Sequence, residues 1–234
     1  MAGPVDAALA DPWGTAHRLL DEPLHPGGEA ATADLLDRAG VGGDTRLVDV
    51  GCGAGDAVAL AADRGARAVG VDRDPGGERA VRADMDRLPV ADDAVDVVLA
   101  ECVLCLSPDL DRSLAEARRA LAPDGRLALS DVVVEGELPD LPAPVARALC
   151  LEGSPDRETL AGRVEAAGFE VCGVRDHRED LLATRDRLEE AVDYEGLLGL
   201  LGERGERLLA VVEHLERAVE DGQIGYVSLV ADRA

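Results

Sequence analysis

Two rhythms of apolar and polar positions run through this chain. Short apolar runs at 46–50, 68–71, 79–81, 95–100, 126–133, 169–174 and 224–230 have the length and β-branched content of strands. Segments 30–39, 57–64, 111–121 and 157–167 read as helices between them. Leu35 and Leu36 lie on the apolar face of the first, and Gly40 and Gly168 close the first and the last. Strands alternating with helices predict a Rossmann-like α/β fold, a doubly wound and mostly parallel seven-stranded sheet. Residues 1–24 read as one or two short helices anchored by Trp13 and ending at Pro23, and His25-Pro26-Gly27-Gly28 is a turn. Between the sixth and seventh strands, residues 180–221 read as two helices. Leu197, Leu198, Leu200 and Leu201 fall in one, and Leu208, Leu209, Val211, Val212 and Leu215 in the other. A hairpin packed on the sheet edge accounts for them, with a lid or a dimer contact as alternatives. The chain thus reads as a single domain over 1–234. Its parts are N-terminal helices at 1–40, a core at 41–178, a helical insertion at 179–222 and a last strand at 223–234.

The first strand ends in Leu47-Val48-Asp49-Val50-Gly51-Cys52-Gly53-Ala54-Gly55, and the second ends in Asp72. A strand, a glycine turn, a helix and a second strand ending in a carboxylate form a nucleotide-binding βαβ unit. The glycines let the backbone turn sharply and approach a ligand closely. Asp72 is placed to accept two ribose hydroxyls. The spacing is G-x-G-x-G, shorter than the dinucleotide fingerprint that seats a pyrophosphate on a helix N-terminus. It suits a nucleoside without phosphates.

With these residues the chain resembles the class I S-adenosylmethionine (SAM) methyltransferases, and the resemblance extends beyond the first motif. Asp84-Met85 follow the short third strand, where that family contacts adenine. Strand four, Asp96-Val97-Val98-Leu99-Ala100, ends in Glu101-Cys102 at the active-site rim, and Leu121-Ala122-Pro123-Asp124-Gly125-Arg126-Leu127 resembles the family's turn into strand five, with Asp124 replacing a usual glycine. The resemblance implies SAM as cofactor and an antiparallel last strand. Asp49, Gly51, Gly53 and Gly55, with Cys52 inside the same turn, would surround the methionine end, while Asp72 and Arg73 would take the ribose side. Asp84 would receive the adenine amino group, with the Met85 N–H on the ring. Glu101 is a candidate for both cofactor contact and general base, and His25 could reach the methionine carboxylate or the substrate. Asp56 opens a helix and suits its dipole better than a ligand.

Composition narrows the partners. The chain carries 48 acidic residues against 24 basic, a net charge of −24, and every basic residue is arginine. Such a surface repels phosphates and anionic lipid heads, so neither nucleic acid nor membrane is an expected partner. The same self-repulsion predicts adaptation to high salt, where screening removes it; ordinary arginine-rich usage is the alternative. With no long apolar run and no signal-peptide pattern, a cytoplasmic location is expected. A homodimer is compatible with all of this.

Five cysteines without paired spacing point to reduced thiols. Cys102 and Cys105 make one C-x-x-C, but with no second pair and no nearby histidine no metal is expected. Cys52 reads as a packing residue in the glycine turn and Cys172 as core. Cys102 and Cys105 follow strand four, on the carboxyl edge where ligands bind in open α/β sheets, and Cys150 follows the Pro-rich segment 139–144. From Cys102-Val103-Leu104 and Leu106-Ser107-Pro108-Asp109, through Ser130-Asp131-Val132 and Glu137-Leu138-Pro139, to Cys150-Leu151-Glu152-Gly153, the chain is similar to arsenite methyltransferases. That resemblance implies a substrate-binding thiol at Cys150. The family's other substrate cysteines would fall on Ala57 or Val58 and on Gln223 or Ile224, so a second thiolate must come from Cys102 or Cys105. Soft centres prefer thiolates. The reading is methyl transfer from SAM to a small soft nucleophile, an arsenite-like metalloid or a thiol. The alternatives are O-, N- or C-methylation of an ordinary metabolite, or SAM binding without catalysis.

Overall fold

The computed structural model describes residues 25–138, 141, 143–191, 194–199 and 202–234. The readings for 1–24, Trp13 among them, and for Leu200 and Leu201 lie outside the described residues. Helix α1 (Gly28–Arg38) leads into β1 (Arg46–Val50), α2 (Asp56–Asp63), β2 (Arg67–Asp72), β3 (Ala80–Arg82) and β4 (Val95–Glu101). A short 3-10 turn (Leu104–Leu106), α3 (Leu110–Ala120) and β5 (Leu121–Val134) follow. The chain continues through α4 (Ala143–Ala148), α5 (Arg157–Ala166), β6 (Phe169–Asp176), α6 (Arg178–Ala191), α7 (Tyr194–Gly199), α8 (Glu203–Glu220) and β7 (Ile224–Arg233).

The seven strands form one sheet in the order β3-β2-β1-β4-β5-β7-β6. The pairs from β3 to β5 are parallel, and β7 runs antiparallel to both β5 and β6. Both faces of its centre are apolar, as buried parallel strands require. Leu47, Val97, Leu99 and Ala128 pack with Leu35, Leu36 and Ala61 from α1 and α2. Val48, Val98, Leu127 and Leu129 pack with Leu114, Ala117 and Val164 from α3 and α5 on the other face. A third cluster, at the carboxyl end of β5 and the start of β7, joins Val132, Cys150, Leu151, Ala218, Ile224 and Tyr226.

Local chemistry marks the helix starts. Asp109 accepts the Arg112 N–H at 3.1 Å and Asp156 accepts the Thr159 N–H at 2.7 Å, each supplying an acceptor to an otherwise unpaired helix donor. Two expectations change. Among the described residues between β6 and β7 there are three helices, α6, α7 and α8, where two were expected, and Gly202 before the last takes a φ of +57°. Cys172 is exposed, not core. β6 is the sheet's outer strand, its register with β7 shifts between Val171 and Gly173, and most of its residues lack a covering layer.

Candidate active site

The carboxyl ends of β1, β2 and β4 meet at the glycine turn. Gly51 and Cys52 both donate their N–H to the Val71 carbonyl, at 2.7 and 3.3 Å, folding the turn back onto β2. Gly51, Gly53 and Gly55 have φ of +77°, +49° and +94°, a region other residues enter only at a cost. At Gly70 an added Cβ would lie 2.3 Å from the Cys52 sulfur, so that glycine makes room for the thiol. Burial pushes the Cys52 thiol up to about 12, in keeping with a packing role. Asp72 accepts the Gly53 N–H at 3.0 Å through one oxygen and the Asp74 N–H at 2.8 Å through the other. Arg73 approaches Asp84 at 3.9 Å, and both are largely exposed, while the Met85 side chain is buried in the core. Asp56 opens α2 just after Gly55.

Two buried carboxylates flank this turn. Burial, then the nearby negative charges of Glu101, Asp72 and Asp56, raises the Asp49 carboxyl well above its ordinary range. Burial also raises Glu101, against the opposing pull of His25, the Thr32 hydrogen bond and His177. The Thr32 hydroxyl reaches the two Glu101 oxygens at 3.3 and 3.1 Å and lies 3.0 Å from His25 Nε2. His25 itself stands 3.9 Å from Glu101. Neighbouring buried carboxylates that lack a full countercharge suit a ligand bearing cationic groups. SAM, with its sulfonium and ammonium, has that character.

A group of thiols begins one residue later, at Cys102. Cys102, Cys105 and Cys150 place their sulfur atoms all within 4.8 Å of one another. Two thiolates bound at about 2.3 Å to one tetrahedral ion would sit about 3.8 Å apart, so a small inward movement completes such a site. Cys102 and Cys150 have φ of +51° and +57°. The other non-glycine residues in that region, among those described, are Asp44 and Asp93, a type that tolerates it. A left-handed backbone at two cysteines whose sulfurs converge is strain that the surrounding structure must hold in place. Hydrogen bonds from Cys102 and Cys105 draw the Cys150 thiol well below its ordinary value, and the other two thiols are raised. The trio therefore loses its first proton readily and the next ones reluctantly. The three sulfurs lie close enough together that they could hold one ion. The third ligand comes from a segment 45 residues beyond Cys105 in sequence, which spacing alone does not reveal.

The two sides touch. A Cβ on Gly51 would lie 2.3 Å from a Val103 methyl, so the glycine turn and the thiol loop are in van der Waals contact. Three residues of this region were not singled out from the sequence. Thr32 is a buried hydroxyl on an otherwise apolar helix face, and Tyr226 donates to Ser130 at 2.8 Å beneath the thiols. Asp131 is a carboxylate inside the apolar run of β5, and that break in the run was the available signal. Ala57, Val58, Gln223 and Ile224 bring no further thiol.

Residues 48–129 match the methyltransferase-domain family Methyltransf_11. Methyltransferase GfsG of Streptomyces halstedii is 32% identical over 237 residues, covering 91% of this chain and 82% of that protein. An arsenite methyltransferase of Halobacterium salinarum is 31% identical over 115 residues, 47% of this chain but 29% of that protein. Among solved structures, phosphoethanolamine N-methyltransferase 2 of Haemonchus contortus, with phosphomonomethylethanolamine and S-adenosylhomocysteine, superposes with a TM-score of 0.72. At 18% identity over 96% of this chain and 57% of that one, this likeness is one of fold. The glycine turn, the strand-end carboxylates, the sheet order and a relative similar along nearly its whole length converge: the chain belongs to the SAM-dependent methyltransferases.

Proposed function

We propose that this methyltransferase acts on a small soft nucleophile, a trivalent arsenic-like metalloid or a thiol-bound species, held by Cys102, Cys105 and Cys150. The observation that carries the reading is the convergence of three sulfur atoms within 4.8 Å, beside the glycine turn. The similarity to an arsenite methyltransferase over about half of the chain supports it. SAM, when bound, supplies an activated methyl on a sulfonium, and the acceptor's lone pair displaces it in line, leaving S-adenosylhomocysteine. The chain has little chemistry left to do beyond holding both partners and excluding water. Asp49 and Glu101 compensate the cofactor's positive charge, Asp72 takes the ribose hydroxyls, and the thiol trio presents the acceptor. Leu138, Leu181, Leu215 and Val219 pack against the same apolar cluster as the thiols.

A second reading rests on Glu101. Its carboxyl is buried and raised and has Thr32 as a partner, a setting for a base that removes a proton from an oxygen or nitrogen acceptor. A Cys150→Ser variant separates the two. On the thiol reading it loses methyl transfer to arsenite while S-adenosylhomocysteine binding is unchanged. Wild-type turnover in that variant contradicts the reading.

A further inference from the structure

Beneath the thiols lies a carboxylate that the methyl transfer just described does not use. Asp131 sits in β5 with 3% of its surface exposed. One oxygen accepts the Val132 N–H at 2.9 Å, and the other accepts the Cys105 N–H at 2.8 Å across the sheet end. The Cys105 N–H belongs to the start of the 3-10 turn, where backbone donors have no partner within the turn. Its neighbour Cys102 is fixed differently, by its N–H on the Ser130 carbonyl at 2.7 Å. The loop carrying two of the three thiols is thus hung from consecutive residues of β5, Ser130 and Asp131.

Cys150 arrives from elsewhere. It follows α4, with its own N–H on the Arg147 carbonyl at 3.1 Å and the Ser154 hydroxyl on its carbonyl. The backbone contacts of that segment hold Cys150 itself, whereas the Cys105 backbone is held from β5. A buried carboxylate is a costly way to satisfy one or two N–H groups that a neutral acceptor would satisfy as well. Its place here is explained by what it holds.

We infer that Asp131 is a positioning residue, clamping Cys105 through its backbone N–H so that three thiols, not two, face the acceptor. The inference rests on the thiol reading of the acceptor site, and it deepens that reading by setting the number of sulfur ligands at three. Outer-shell partners of ligand side chains typically contribute about 10–100-fold to affinity.

The test uses the full chain with S-adenosylhomocysteine bound, titrated with cadmium(II) while the thiolate-to-cadmium ultraviolet band is followed. Its intensity reports the number of bound thiolates, a quantity that a purely structural role of Asp131 would not change. Wild type should show three. Asp131→Ala should show two and bind cadmium about 10–100-fold more weakly. Asp131→Asn keeps an oxygen for the Cys105 N–H and should retain three. In a Cys105→Ala background, Asp131→Ala should add no further loss, because it acts through that residue. Three thiolates in Asp131→Ala, or an additive loss in the double variant, would overturn the inference. If Asp131→Ala does not fold, two thiolates in Asp131→Asn would overturn it and three would support it. Wild type binding cadmium with three thiolates yet failing to methylate arsenite would sink the proposed acceptor and leave the clamp standing.

Discussion

The two halves of this site are built by opposite means. On the cofactor side, from Asp49 to Met85, the ligand surface is mostly backbone, shaped by glycines and two strand-end carboxylates that lie close in sequence. On the proposed acceptor side, the surface is side-chain sulfur gathered from two distant segments, with Cys105 held from β5 and residues of α6 and α8 packed on the same cluster. The first half serves a ligand shared by a whole family. The second suits an acceptor that only a particular set of side chains can recognise.

Substitutions should separate the halves. The largest effect is expected at Gly51, where a Cβ would meet Val103 at 2.3 Å and φ is +77°. Gly51→Ala should destabilise the protein by about 3 kcal/mol, overpacking and backbone strain together. Because Gly51 touches the thiol loop, it should weaken both ligands, as thermal melts and titrations of the variant would show. Asp72→Ala is expected to lower SAM affinity about ten- to a hundredfold, the loss of charge-assisted hydrogen bonds worth about 1.5–3 kcal/mol. Its affinity for arsenite should stay at the wild-type value, and a parallel fall in both would dissolve the distinction between the halves.

A pH series sharpens the comparison further. Burial raises the Asp131 carboxyl to about 7, above its ordinary 3.8. The fold therefore favours its protonated form. Its contribution to stability is fully present below about pH 4 and is lost as pH rises through about 7. Asp131→Asn should flatten the fall in melting temperature between pH 4 and 7. Asp49 and Glu101 shift in the same direction and leave a residual slope. An unchanged slope in Asp131→Asn would contradict the placement of that carboxylate.

Salt should act on both halves alike. With a net charge of −24, raising KCl from 0.1 to 2 M shortens the Debye length from about 10 Å to below about 3 Å and removes most self-repulsion. The melting temperature should rise, and equal values at both salts would argue against salt adaptation.

What could be read in the chain follows the same division. The βαβ unit was legible because turn, helix and strand are consecutive and because the glycines serve the backbone, which sequence spacing describes well. The alternation of elements was legible for the same reason, and strand ends moved by at most three residues except in β5, where α3 passes directly into the strand at Leu121. The thiol trio was legible as a list of cysteines but not as a cluster, since Cys150 meets Cys102 only once the sheet is assembled. Cys172 was misjudged because alternation within a strand does not tell whether a layer covers it. Asp131 was visible as one charge in an apolar run, but its partner, the Cys105 N–H, is a tertiary contact.

The most direct measurement is a calorimetric titration of the full chain in 2 M KCl, first with S-adenosylhomocysteine and then with arsenite. The account predicts binding of both, the second lost in Cys150→Ser and the first retained. Binding of S-adenosylhomocysteine alone by the wild-type chain would contradict the thiol acceptor site.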